Sequence, residues 1–95
     1  MKKEYPYFYG IYDNPDEKLF QRQCSAIEKH IQNLNKESLL EDVDGSLIQI
    51  YHHEKGTIRV CNDHFLGDLY VESNFDLLPY FSNGRQSTQY ERVGV

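Results

Sequence analysis

Apolar positions in the first third of the chain recur with a helical period. Phe20, Cys24, Ile27, Ile31 and Leu34 are spaced by four, three, four and three residues, and Leu19 and Ala26 widen the stripe. That stripe predicts one amphipathic helix from about Pro15 to Lys36 with a buried face that includes Cys24. The residues before it suit a helix start. Asn14 can cap, Pro15 fits the first helical position, and Asp16 and Glu17 complement the positive end. The pattern stops too soon for a coiled coil.

After a polar connection the period changes to two. Ser46–His52 reads as a strand with apolar residues on both faces, Ile48 and Ile50 on one and Leu47 and Tyr51 on the other. A central position in a sheet accounts for that. His53-Glu54-Lys55-Gly56 forms a hairpin loop. Thr57–Asn62 is the next strand, with Ile58 and Val60 alternating against Arg59 and Cys61. A loop, Asp63–Asp68, leads to a third strand, Leu69–Ser73, with Leu69 and Val71 inward and Tyr70 and Glu72 outward. Before the helix, Tyr5–Tyr12 is crowded with aromatics and suits an extended strand or a packed arm, with Pro6 at an edge or strand start. Phe75, Leu77, Leu78, Tyr80 and Phe81 form a short apolar closing segment around Pro79. The expectation is an α+β fold in one domain, residues 1–95: an N-terminal amphipathic helix packed on a three- to four-stranded antiparallel meander. By composition, residues 82–95 form a loose polar tail.

Composition sharpens this picture at two points. The hydrophobic fraction is 39% and the aromatic fraction 14%, so a few large rings supply much of the buried area. No apolar run approaches the roughly 20 residues that cross a bilayer, and no apolar segment follows the basic start, so neither a membrane span nor a signal peptide is expected. Cys24 and Cys61 then read as reduced thiols, and the cytoplasm is the expected compartment.

The net charge of −5 is unevenly spread. Residues 37–76 hold nine acids against Lys55 and Arg59, for −7, while the segments before and after each carry +1. A field of that sign repels phosphate backbones and steers cationic partners, so direct nucleic-acid binding is not expected.

Catalytic and metal-binding constellations are thin. Asp42-Val43-Asp44-Gly45-Ser46-Leu47 resembles the first motif of the haloacid-dehalogenase phosphatases, whose nucleophile sits at the end of a buried parallel strand. The preceding Glu37–Glu41 is short and acidic, and the chain has no room for that family's other motifs. Asp42 and Asp44 are therefore read as a turn feeding the first meander strand. His52, His53, Cys61 and His64 form the one plausible metal cluster, and Cys61-x-x-His64 lacks the second half of a finger motif. Cys61 and Ser46 sit in no recognisable nucleophile frame. No cofactor, metal or enzymatic activity is expected.

Binding is the better reading. Asp63, Asp68, Glu72 and Asp76 lie on or beside the last hairpin, with Phe65, Tyr70 and Phe75 among them. Carboxylates around large rings suit a Lys/Arg-rich protein surface, charge steering the encounter and rings supplying buried area. Taken singly, Phe65 and Phe75 each read as core residues and each acid as a solvated side chain. The candidate partner-binding residues are Asp63, Asp68, Tyr70, Glu72 and Asp76. A homodimer through Tyr70 or the Tyr5–Tyr12 strip is the other binding mode.

The stretch from Asp42 to Phe81 carries a family resemblance. Asp42-Val43-Asp44-Gly45-Ser46-Leu47-Ile48, Gly56–Asp63, Gly67–Ser73 and the closing Leu77-Leu78-Pro79-Tyr80-Phe81 together resemble small bacterial immunity proteins. These are encoded beside the toxin in contact-dependent growth inhibition and related polymorphic toxin systems. The resemblance lies in a short acidic meander behind a helix and transfers no site residue by residue. It implies a cytoplasmic, non-catalytic inhibitor of a cognate toxin. Such toxins are often nucleases, whose clefts are basic because their substrate is polyanionic.

Overall fold

The computed structural model of the chain describes residues 4–81 and the backbone of 91–92. Within them, one antiparallel sheet carries one principal helix on one face. Strand β1, Tyr7–Tyr12, comes first and is followed by helix α1, Glu17–His30. Two-residue strands β2 (Asn35–Lys36) and β3 (Leu40–Glu41) lead into β4 (Leu47–His53), β5 (Gly56–Asp63) and β6 (Asp68–Ser73). A short helix α2, Leu78–Phe81, and strand β7, Glu91–Arg92, complete the described elements. The sheet order is β2-β4-β5-β6-β1-β7, with β3 also paired to β4.

The α+β class is as expected, and two parts of the expectation need correction. The sheet is larger than three or four strands: seven pair among the described residues, because β1 joins the meander beside β6 and three two-residue strands add to its edges. Two residues show no periodicity, so β2, β3 and β7 leave no trace in the apolar pattern. The helix is also not the N-terminal element, since β1 precedes it. Of the expected tail, only 91–92 is described, and its backbone pairs with Tyr9 and Gly10; the remainder lies outside the described residues.

Helix α1 is shorter than its stripe. It ends at His30, Ile31 adopts extended backbone, and Asn33 takes a left-handed φ of 61° that redirects the chain into β2. Asparagine tolerates that region better than most residues. Ile31 remains buried in the extended segment, so the side chain the stripe requires is supplied without helical backbone. At the other end the cap is Asp16, not Asn14. Its carboxylate accepts from the Leu19 N–H at 3.0 Å, and its own N–H donates to Asn62 Oδ1 at 2.8 Å. Asn62 is buried on β5, so a tertiary hydrogen bond selects between two residues that are both competent caps.

The strand register divides the side chains into two faces. Tyr9, Val71, Val60 and Gln49 form one row facing α1, and Tyr7, Ser73, Ile58 and Tyr51 form the next. Phe20, Cys24, Ile27 and Ile31 pack on these rows with Leu77 and Phe81. Each large apolar side chain buried there contributes about 1.5–3 kcal/mol relative to exposure. On the opposite face lie Phe8, Glu72, Arg59 and Ile50 in one row and Gly10, Tyr70, Cys61, Ile48 and Leu40 in the other.

Tyr51 ties helix to sheet. Its hydroxyl donates to Glu28 Oε2 at 2.6 Å, and Glu28 also pairs with Lys36 at 2.9 Å. The Tyr51 hydrogen bond first, and Lys36 second, hold the Glu28 carboxyl below its ordinary value of 4.5. Because the folded value is the lower one, this stabilisation is complete above pH 4.5 and is lost as pH falls through the folded value. Tyr51→Phe is expected to cost about 1–2 kcal/mol at pH 7, a range that allows for the partial exposure of Glu28. The gap between wild type and variant should narrow below about pH 4.5; urea midpoints at pH 7 and pH 3 check both parts, and a gap that widens in acid contradicts the assignment.

Candidate functional site

The end of the sheet where β1 finishes and β4 and β6 begin gathers three connections: residues 13–16, 42–46 and 64–67. Each is shaped by short polar side chains. In the β3–β4 turn the Gly45 N–H donates to the Asp42 carbonyl, Asp44 Oδ1 accepts from the Ser46 N–H at 2.9 Å, and Gly45 takes a φ of 90°. The Ser46 N–H holds the Asp44 carboxyl below its ordinary value. In the β5–β6 turn, Asp63 Oδ1 accepts from the N–H groups of Phe65 and Leu66, both at 2.9 Å, and Gly67 N–H donates to the Asp63 carbonyl at 2.8 Å. The two turns are tied together, since the His64 N–H donates to Ser46 Oγ at 2.8 Å.

These hydrogen bonds fix the loops with apolar side chains pointing out. Phe65 is 88% exposed, Leu66 59%, and Val43 fully exposed. Leu39 and Leu40, on and before β3, are half exposed. Carboxylates from Asp13, Asp42, Asp44 and Asp68 belong to the same end of the sheet. Single exposed apolar residues are ordinary on a protein surface; these are set apart by lying on hydrogen-bonded turns at one end of the sheet, two of which are tied together.

The five candidate residues read from the sequence separate in space. Asp63, Asp68, Tyr70 and Glu72 share the sheet face opposite α1. Asp76 lies on the other side: its Oδ1 accepts from the buried Tyr9 hydroxyl at 3.0 Å and from the Leu78 N–H at 3.1 Å. Asp63 shapes its own turn and accepts from the Tyr70 hydroxyl at 3.2 Å. Glu72 meets Arg59 at 3.0 Å, with the Arg59 guanidinium 5.2 Å from the Tyr5 ring. Tyr70, read as outward, is only 9% exposed because it stacks on Phe8, with ring centroids 4.9 Å apart. Of the four carboxylates, Asp68 alone has no hydrogen-bond or ion-pair partner among the described residues.

Sequence reasoning missed Asp13, Leu66 and Val43, and it named Phe65 only as a ring among the acids and not as a candidate contact residue. Asp13 belongs to a segment with a net positive count, and only the fold brings it beside Asp68. Phe65 and Leu66 carried a usable signal: two large apolar residues in succession inside a loop, with no strand period to bury them.

The other constellations do not assemble. Asp42 and Asp44 occupy an antiparallel turn, as expected, and not the end of a parallel strand. His52 pairs with Glu37, His53 stacks on Phe75, and His64 sits in the β5–β6 turn. Among the described residues no three His, Cys, Asp or Glu side chains are placed to hold a metal ion. Burial pushes the Cys61 thiol up to about 12 and the Cys24 thiol up to about 11, so both are protonated at neutral pH. Among the described residues no helix is long and apolar enough to cross a membrane. No family model, curated protein or solved structure matches the chain.

Proposed function

We propose that this chain is a non-catalytic immunity protein that binds and neutralises a cognate toxin domain with a basic surface, a nuclease, in the cytoplasm. The observation that carries this reading is the paired-turn end, where Phe65, Leu66 and Val43 stand exposed among carboxylates. A nuclease cleft presents cationic groups to its substrate, and an acidic surface of this kind competes for them while the apolar tips supply desolvated contact area. The resemblance of residues 42–81 to toxin-system immunity proteins supports the same reading. Self-association through this end is disfavoured, because it would bring like charges together.

The test is co-purification with the basic toxin domain encoded beside this gene, followed by titration of variants. Phe65→Ala is expected to weaken the complex by about 30-fold or more, as loss of a central aromatic anchor does. Its melting temperature should stay within about 2 °C of wild type, since the side chain is exposed. Asp68→Lys is expected to slow association and reduce its salt dependence. Absence of a complex with any neighbouring toxin domain, or binding indifferent to Phe65, overturns the proposal.

A further inference from the structure

A cleft of about 270 Å³ opens beside the paired turns, between the end of β1 and the start of β6. Its lining includes Phe8, Gly10, Tyr12, Asp13, Asp68 and Tyr70. Three features give it a chemical character. The Phe8–Tyr70 stack, with its rings 22° from parallel, is part of its wall, and Tyr70 is held further by its hydroxyl bond to Asp63. The β1–β6 register is irregular between Gly10 and Tyr12, and Tyr12 is left 47% exposed. Asp13 and Asp68 contribute two carboxylates, and no cation is paired with either among the described residues.

Gly10 keeps the cleft open. It has no positive φ, and a Cβ built on it would meet nothing within 4 Å. Backbone conformation therefore does not require glycine at this position. A side chain there would stand on the same face as Tyr70, its register partner, and enter the cleft.

We propose that this cleft receives an arginine side chain of the protein partner, its guanidinium against the aromatic wall and its N–H donors on Asp13 and Asp68. Arginine suits the lining better than lysine. A planar, weakly hydrated guanidinium stacks on aromatic faces and presents a fork of donors to carboxylates, whereas an ammonium keeps its water. The occupant follows from charge complementarity, and the class of partner rests on the function proposed above. The cleft itself can be tested without any toxin.

The experiment is a titration of uniformly ¹⁵N-labelled full chain with the tripeptide acetyl-Gly-Arg-Gly-amide, followed by two-dimensional amide spectra. Saturable shifts are expected at Gly10, Tyr12, Asp13, Asp68 and Tyr70. The neutral citrulline peptide should bind at least about tenfold more weakly, the effect of losing one charge-assisted contact. Gly10→Val should abolish the shifts while signal dispersion stays native. Asp68→Asn, an isosteric change at a partly exposed side chain, should weaken binding about tenfold and serves if the valine variant does not fold. Equal affinity for the citrulline peptide, shifts confined to residues 41–46, or undiminished binding by both variants overturns the proposal. Failure here with an intact toxin complex removes the cleft alone. Arginine binding without any toxin complex removes the function and keeps the cleft.

Discussion

Tyr9→Ala is expected to lower stability by about 3–5 kcal/mol, the range for removing a large aromatic from a core. That is a large share of the roughly 5–15 kcal/mol available to a domain of this size. The ring is fully buried and lies in the middle of β1, opposite Val71. Its hydroxyl also has two roles, donating to Asp76 and accepting from the buried Leu77 N–H at 2.8 Å. Truncation therefore opens a cavity and leaves a main-chain donor without its partner. The melting temperature should fall by more than about 12 °C. Tyr9→Phe keeps the ring and removes only the hydroxyl, so it should cost about 1–3 kcal/mol. Equal losses in the two variants would show that packing of the ring contributes little, contrary to this account.

Gly56→Ala is expected to cost about 2–4 kcal/mol, from a strained backbone and a displaced hydrogen bond. Gly56 closes the two-residue β4–β5 hairpin opposite His53, with a φ of 154° that side-chain-bearing residues rarely adopt. A Cβ there would overlap the side-chain amide oxygen of Asn74 and lie 2.8 Å from its Cγ and 3.0 Å from Phe75 Cδ1. That amide oxygen is not free to swing away without loss, because it accepts the Thr57 N–H at 2.8 Å. Asn74→Ala should cost about 1 kcal/mol by itself. In the double variant the clash is gone, so the combined loss should be smaller than the sum, by an amount that urea midpoints resolve. Strict additivity would place the whole cost in the backbone.

The sequence made the helix–sheet core legible because that core obeys simple periods. Phe20, Cys24 and Ile27 recur at helical spacing, and Ile58, Val60, Leu69 and Val71 alternate as strands do, and all seven are buried together. The errors arose where long-range contacts decide. Asn14 and Asp16 are chemically equivalent caps, and the choice was made by Asn62, forty-six positions away. Ile31 and Leu34 fit the helical stripe and pack with the core, but the helix ends at His30 and Asn33 redirects the chain, so both do so from non-helical backbone. Tyr70 alternates outward by strand parity, and Phe8 from another strand covers it.

The candidate site was legible in its charge and not in its geometry. Asp68 was found by its neighbourhood in sequence. Glu72 and Asp76 looked the same to that criterion, yet one meets Arg59 and the other the Tyr9 hydroxyl. Whether a carboxylate is available to a partner depends on what folds against it, and net charge counts all of them alike. Phe65 reversed in the other direction: a residue type that usually fills cores stands in the open on a turn that its own N–H and that of Leu66 fix by donating to Asp63 Oδ1.

The placement of β1 also sets an order of events during synthesis. Its partner, β6, begins at Asp68, more than fifty residues after β1 ends at Tyr12. At about 5–20 residues per second, the first strand leaves the ribosome several seconds before anything exists to pair with it. That strand holds Tyr7, Phe8, Tyr9 and Tyr12, so the most aromatic segment is the one that waits longest. When β6 arrives, the β4–β5 hairpin can already be formed, because its contacts are local and its turn spans two residues. Closure of β1 onto β6 is then the late, long-range step, and slow translation between residues 13 and 67 would lengthen the interval in which those rings are exposed to the chains around them.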